Sequence, residues 1–272
     1  MELNHDLESQ LQLSGYGAEG FAERYDAFRP RPPAALLELL PSLTGGRPRL
    51  VVDVGAGTGL STRPWAAVAD AVVGIEPSEA MRRVAQEVTG ETNVSYRDGS
   101  SYASGLDDGC ADIVTCSQSL QWMQPEPTFA ELARILRPGG VLAAYQYERL
   151  VTAHWEPDAA FLRVRDRVGA IGRELGVREQ RPRWPIAVET FEQSGQFSDV
   201  RELYLHSVEE GDAERLVGFA LSEGSTTTLL DQGHSEAELG LDVLRAAAER
   251  WLVDAAPWWL GYRVIVARTP LA

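Results

Sequence analysis

The sequence contains no lysine: all 25 basic residues among its 272 are arginine. That absence excludes a lysine Schiff base, a Walker lysine and a lysine general base. The two cysteines, Cys110 and Cys116, are too few for a disulfide framework, a four-thiolate zinc site or an iron–sulfur cage. Of the histidines His5, His154, His206 and His234, no two share metal-ligand spacing, so no metal is expected. No apolar run is long enough to span a bilayer, and the opening Met1-Glu2-Leu3-Asn4-His5-Asp6 is polar and acidic, unlike a signal peptide. The expectation is a cytoplasmic chain without a membrane partner. Positive charge is also scarce. Twenty-five arginines against 40 Asp and Glu leave a net charge of −15, which repels phosphate backbones and argues against nucleic acid.

What is present is ordinary for a globular chain, with 44% hydrophobic and 24% charged residues. The length can bury a full core as a single domain over 1–272. Residues 1–48 read as N-terminal helices: Phe21, Tyr25 and Phe28 share a helical face, Arg29-Pro30-Arg31-Pro32-Pro33 breaks it, and Ala34–Leu40 starts another. Over 49–147 short β runs alternate with helices. Strands are expected at Leu50–Val54, Ala71–Ile75, Val94–Arg97, Ala111–Cys116 and Val141–Tyr147, and helices at 60–69, 78–88 and 126–137. Arg137-Pro138-Gly139-Gly140 reads as a helix stop and turn into the fifth strand. Such alternation argues for a parallel sheet covered by helices on both faces. Beyond it, 148–199 and 208–260 read as helical insertions expected to roof a cleft, with Phe161, Val164 and Val168 on one face and a Ser/Thr-rich break near Ser225–Thr228. Val200–Ser207 and Tyr262–Arg268 complete the strands.

The sharpest motif is Asp53-Val54-Gly55-Ala56-Gly57-Thr58-Gly59, a glycine-rich turn after a strand and before a helical pattern. Such a turn lets backbone approach a ligand closely at the carboxyl end of a sheet. A dinucleotide pyrophosphate wants Gly-x-Gly-x-x-Gly, whereas the spacing here is Gly-x-Gly-x-Gly, which disfavours a nicotinamide oxidoreductase. An Asp53 carboxylate beside a pyrophosphate is unfavourable, and beside an ammonium or sulfonium favourable. Glu76, at the end of the second strand and 21 residues after Gly55, can accept hydrogen bonds from two ribose hydroxyls.

Together with Gly74-Ile75-Glu76-Pro77-Ser78-Glu79-Ala80-Met81, Tyr96-Arg97-Asp98-Gly99-Ser100, the segment Asp112–Trp122 and Leu136-Arg137-Pro138-Gly139-Gly140, this motif resembles the class I S-adenosylmethionine-dependent methyltransferases. The similarity covers about 20–147 and is to the small-molecule branch that includes the trans-aconitate and ubiquinone-type methyltransferases. It implies a doubly wound α/β Rossmann-like sheet of seven strands in the order 3-2-1-4-5-7-6, the last strand antiparallel, with helical lid insertions. It implies S-adenosyl-L-methionine as cofactor and S-adenosyl-L-homocysteine as product. The cofactor-binding residues it implies are Gly55, Ala56, Gly57 and Thr58 in the loop with Asp53. Glu76 and Pro77 would serve the ribose, and Met81 would pack on adenine. Asp98 would accept from the exocyclic amine, Gly99 and Ser100 would meet the ring, and Ser117 and Ser119 would follow the fourth strand. Tyr25 and Arg29, in Tyr25-Asp26-Ala27-Phe28-Arg29-Pro30, would reach the methionine end.

Many relatives carry a histidine before the aromatic where this chain has Gln121-Trp122; glutamine can donate and accept hydrogen bonds but is no general base. His154 is then the remaining base candidate, with Gln121 as a second catalytic candidate. Gln121, Trp122, Tyr145 and Trp155 are the candidate substrate contacts. An aromatic-rich lid (Trp155, Trp184, Trp251, Trp258, Trp259) suits a flat or apolar acceptor. The expected chemistry is methyl transfer to a small molecule, a natural product or other secondary metabolite, through alignment and water exclusion with at most one weak base among His154, Glu148, Tyr145 and Gln121. Two alternatives remain: methyl esterification of a small organic acid clamped by Arg163 or Arg183, and a cofactor-binding protein that transfers nothing. A monomer or homodimer is expected.

Overall fold

The computed structural model describes residues 18, 20–147, 151–176 and 186–271. His5, Glu148, Arg183 and Trp184 lie outside the described residues. The chain forms two compact units. One gathers 31–148, 183–207 and 261–272; the other gathers 1–30, 149–182 and 208–260.

The first unit is organised by a seven-stranded sheet in the order β3-β2-β1-β4-β5-β7-β6, built from β1 (Leu50–Val54), β2 (Ala71–Ile75), β3 (Val94–Arg97), β4 (Ala111–Ser117), β5 (Leu136–Tyr147), β6 (Ser198–Gly211) and β7 (Ala256–Arg268). β1 pairs in parallel with β2 and β4, β2 with β3, and β4 with β5, while β7 runs antiparallel to β5. The expected order and antiparallel last strand are both found. The central strands are buried on both faces, which is why their sequence is a near-continuous apolar run rather than an alternation. One face packs Val52, Val54, Val114, Cys116 and Ile265 under Phe129, Leu132 and Ile135 of α4 (Pro125–Ile135), with Phe191 of α6 (Val188–Gln193) and Phe197 beside them. The Phe129 ring lies 4.9 Å from Phe191 and 5.7 Å from Phe197, tilted and edge-on as aromatic quadrupoles prefer. Leu36 and Leu40 of α2 (Ala35–Thr44) are buried, and that helix packs on β4 and β5.

Several local expectations change. β6 and β7 outrun the expected Val200–Ser207 and Tyr262–Arg268, so both ends of the expected 208–260 helical insertion are strand. Residues 60–69 do not form an α-helix; only a 3-10 turn over Arg63–Ala67 appears. Pro64 lacks an amide and disfavours helical backbone at Arg63, while Ser61 and Thr62 turn inward to Asp53. Arg137-Pro138-Gly139-Gly140 lies inside β5: pairing begins at Ala111↔Leu136 and shifts register before Ile113↔Val141, with Gly139 at φ 72°. The tetrapeptide is thus a bulge. Ser225–Thr228 is helical, within α8 (Gly224–Asp231), with the Thr228 hydroxyl satisfied by the Gly224 carbonyl at 2.8 Å and the Thr227 hydroxyl by the Leu221 and Glu223 carbonyls at 3.0 and 3.4 Å. The break falls at Ser222-Glu223 instead.

The second unit contains α1 (Phe21–Phe28), α5 (Trp155–Glu174), α7 (Ala213–Leu221), α8, α9 (Glu236–Leu239) and α10 (Leu241–Trp251). Phe161, Val164 and Val168 of α5 are buried as their spacing predicts, and α5 packs against α10, which in turn meets α7. The chain enters α9 through a capping box: Ser235 Oγ accepts from the Glu238 amide and Glu238 accepts from the Ser235 amide.

Candidate functional site

Asp53 is the penultimate residue of β1, and the parallel partner β4 brings Thr115 level with it. Thr115 Oγ1 donates to Asp53 Oδ1 at 2.8 Å, while Ser61 Oγ and Thr62 Oγ1 donate to Oδ2 at 2.6 and 2.7 Å. The carboxylate is fully buried, and burial raises its pKa against the pull of the three hydroxyls. Asp53 therefore ties the far side of the glycine loop to two strands.

The loop itself needs glycine. Gly55, Gly57 and Gly59 have φ of 75°, 56° and 83°. A Cβ on Gly55 would lie 2.5 Å from the Ser119 Cβ, and one on Gly59 would overlap the Tyr96 hydroxyl. Gly55 and Ala56 amides both donate to the Ile75 carbonyl, at 2.8 and 3.1 Å, so the loop is anchored on the end of β2. Arg63 Nη1 donates to the Thr58 carbonyl at 2.6 Å.

Glu76, the next residue, is 6% exposed. Its Oε2 accepts from the Gly57 amide at 2.7 Å and its Oε1 from the Ser78 amide at 2.8 Å. Burial pushes its pKa up to about 7, opposed by those two amides and by Arg82. Each carboxylate oxygen retains a lone pair for a further donor. Arg82 Nη1 donates to the Glu76 carbonyl at 2.6 Å and to Asp98 Oδ1 at 3.2 Å, linking the ends of β2 and β3. Met81, in α3 (Glu79–Val88), is buried, and its methyl would lie 3.7 Å from a Cβ on Gly57. Gly99 has no room for a side chain, since a Cβ would meet Ile75 at 2.9 Å, and Ser100 bridges to Ala103. Pro77 is half-buried between Glu76 and the Ser78 cap of α3.

The segment after β4 closes the other side. Ser117 is level with Tyr145 on β5, and Ser119 Oγ donates to the Val54 carbonyl at 2.8 Å. Gln118 has φ 55°, in the left-handed region, and its amide donates to the Tyr145 carbonyl at 2.9 Å. Gln121 Nε2 donates to the Gln118 carbonyl at 2.7 Å. Three buried polar atoms of this segment and the glycine loop have no hydrogen-bond partner: Thr58 Oγ1, Gln118 Nε2 and Gln121 Oε1. Buried polar groups are normally paired, so their concentration beside the loop marks a place built for polar atoms from elsewhere. Tyr145 is fully buried, which raises its pKa. Trp122 is half-buried on the same 3-10 turn.

Tyr25, Arg29, His154 and Trp155 belong to the other unit. The Arg29 guanidinium lies 4.8 Å from the Tyr25 ring centroid and 5.2 Å from that of Phe219, and its Nη2 donates to the Ser222 carbonyl at 2.7 Å. His154 stacks on Trp251 at 4.5 Å, with Nδ1 2.9 Å from Glu156. Trp155 is 87% exposed. Among the described residues no three His, Cys, Asp or Glu side chains gather as a metal site, and no helix is long and apolar enough to cross a membrane.

Ser61, Thr62, Thr115, Arg82 and Gln118 were not singled out from the sequence. The three hydroxyls meet Asp53 only through the 3-10 turn and the β1–β4 register, which no local spacing reveals. Gln118 carries no sequence signal, because left-handed backbone at a non-glycine residue is visible only in the fold.

Residues 52–144 match the family described as "Methyltransferase domain". The malonyl-[acyl-carrier protein] O-methyltransferase of Pectobacterium atrosepticum is 31% identical over 141 residues, 52% of this chain and 53% of that protein. The trans-aconitate 2-methyltransferase of Delftia acidovorans is 33% identical over 123 residues, 44% of this chain and 45% of that protein. A solved structure from Anaeromyxobacter dehalogenans, described as a candidate type II methyltransferase, has a TM-score of 0.66 at 24% identity, covering 90% of this chain and all of that one. The chain spans about half the length of the curated relatives it matches. Residues 52–144 thus match a methyltransferase domain, and the resemblance to the class I S-adenosylmethionine-dependent enzymes is borne out in sequence and in strand order.

Proposed function

We propose that this protein, on the strength of its match to a methyltransferase domain, transfers a methyl group from S-adenosylmethionine to a small-molecule acceptor. The observation that carries the reading is the joined pair of loop and acid: the Gly57 amide bound to a buried Glu76 carboxylate at the carboxyl edge of the sheet. The residues fit that cofactor, with a close-approach loop, an acid with free lone pairs on the ribose side and unpaired polar atoms beside it. S-adenosylmethionine supplies an activated methyl on a cationic sulfur.

The chain then has only to bind, align and exclude water. Asp53 holds the loop from beneath through Ser61, Thr62 and Thr115. Glu76 presents its remaining lone pairs to the ribose hydroxyls. Met81 provides apolar surface for adenine, with Asp98 and the Gly99–Ser100 backbone at its edge. The segment Ser117–Trp122 lines the side facing the acceptor, with Gln121 as an orienting group. A natural product or other secondary metabolite is the acceptor we favour, and the net charge of −15 favours a small molecule over nucleic acid. The names of the two relatives support a second reading, esterification of a small organic acid.

Calorimetry with S-adenosylmethionine, S-adenosylhomocysteine and NAD tests the cofactor. Micromolar binding of the first two, lost in Glu76→Ala, with none of NAD is the expected result. Tight binding of NAD, or of none of the three, overturns the reading.

A further inference from the structure

The turn after β4 contains a pair of side-chain amides, one of which, Gln121, has its orientation fixed by a hydrogen bond. A backbone carbonyl can only accept, so the group of Gln121 at 2.7 Å from the Gln118 carbonyl is its NH2. Oε1 of Gln121 is therefore the end left over, and it is buried without a partner. Three residues earlier, the Nε2 of Gln118 is a buried donor without a partner. Gln118 also has a φ of 55°, a backbone conformation that non-glycine residues rarely adopt, held by its amide bond to the Tyr145 carbonyl. Ser119, between the two glutamines, is fastened to the Val54 carbonyl and abuts Gly55. The strained turn, whose Ser119 abuts the glycine loop, therefore carries one bare donor and one bare acceptor three residues apart.

We propose that Gln118 and Gln121 form an uncharged donor–acceptor pair that selects methyl acceptors bearing a neutral hydrogen-bonding group, a hydroxyl or a carboxamide, over carboxylates. The proposal rests on the methyltransferase reading and narrows its substrate class. A hydroxyl or carboxamide can accept from Gln118 Nε2 and donate to Gln121 Oε1, satisfying both. A carboxylate brings two acceptors. One meets Gln118, the other opposes Gln121 Oε1, and the remaining unpartnered atom of the segment and loop is the neutral Thr58 hydroxyl, not a cation. Buried Asp53, whose negative charge is felt at the Tyr145 hydroxyl, adds to the cost of a second anion. Rejection of the wrong group by an unpaired polar atom is a strong source of specificity.

The test loads the protein with S-adenosylhomocysteine and follows phenol, benzamide and benzoate by ligand-observed NMR. Phenol and benzamide are expected to bind at least about tenfold more tightly than benzoate. Gln121→Lys keeps a donor for the Gln118 carbonyl and replaces the acceptor with a cation, so it should reverse the preference towards benzoate. Gln118→Met removes only the donor and should weaken phenol and benzamide alike, which keeps the test informative if the lysine variant fails to fold. Calorimetric binding of S-adenosylhomocysteine is measured on every protein. Its absence from the wild type sinks the methyltransferase reading itself. With that binding intact, equal affinity for the three probes, preference for benzoate, or no binding of any probe overturns the proposal. So does a loss of S-adenosylhomocysteine affinity in the variants with the probe preference unchanged, because the pair would then serve the cofactor.

Discussion

The Gly57 amide donates to Glu76 Oε2 at 2.7 Å, so the loop after β1 and the acid after β2 are one hydrogen-bonded piece. Ser78 secures the other carboxylate oxygen at 2.8 Å. The acid therefore arrives at the ribose already oriented, and no side-chain freedom remains to be lost on binding.

Glu76→Gln tests that arrangement gently. Glutamine keeps one acceptor for one of the two amides and loses the charge. Hydrogen bonds to a charged group contribute about 1.5–3 kcal/mol, so S-adenosylhomocysteine should bind roughly 10- to 100-fold more weakly. Calorimetry at pH 8 checks it; unchanged affinity would show that the carboxylate does not meet the ligand.

The pKa of about 7 at Glu76 makes binding depend on pH. Two ribose hydroxyls donate, so they favour the ionised acid. Affinity for S-adenosylhomocysteine should rise from pH 6 to pH 8 with release of a proton, then level off. The free protein behaves oppositely. A raised folded pKa means the native state holds a proton that the unfolded chain has lost, so this contribution is full below the ordinary glutamate value of 4.5 and vanishes as pH climbs through about 7. Melting curves with and without ligand across that window should therefore diverge as pH increases, and Glu76→Gln should abolish the divergence.

Much of this was legible before the fold was known, for a physical reason. Strands buried on both faces advertise themselves as continuous apolar runs, and β1, β2 and β3 have the bounds read from the sequence. Gly55, Gly57 and Glu76 follow from the chemistry of close approach. The helix expected over 60–69 was illegible as a 3-10 turn because its cause is distant: Asp53 draws Ser61 and Thr62 inward. The Ser225–Thr228 break misled for the converse reason. Local hydroxyls that end helices in one context are absorbed in another by donating to carbonyls of the preceding turn.

Asp53 gives a stability prediction. Thr115→Val preserves shape and removes the single donor to Oδ1. A buried acceptor left bare costs about 1–3 kcal/mol, equivalent to a melting temperature lower by roughly 2–10 °C in a chain of this size. Thermal denaturation monitored by circular dichroism measures it. A change under 1 °C would mean that the carboxylate finds another donor, and Thr115→Ser should restore most of the loss.

Gly59 and Tyr96 should be energetically coupled. A Cβ on Gly59 would collide with the Tyr96 hydroxyl, which also shares a 3.0 Å hydrogen bond with Thr89. Gly59→Ala therefore suffers twice, from φ 83° and from the clash. Tyr96→Phe removes the worst of the clash, the oxygen, and leaves the backbone strain and a closer-than-normal approach of the ring carbon at 2.8 Å. The single alanine variant should lose about 2–4 kcal/mol, tyrosine to phenylalanine alone about 1 kcal/mol, and the double variant less than their sum. A double-mutant cycle by denaturant titration decides it. Strict additivity would mean that the ring swings away from the loop, in which case the hydroxyl places no steric demand on Gly59 and backbone conformation alone requires a glycine there.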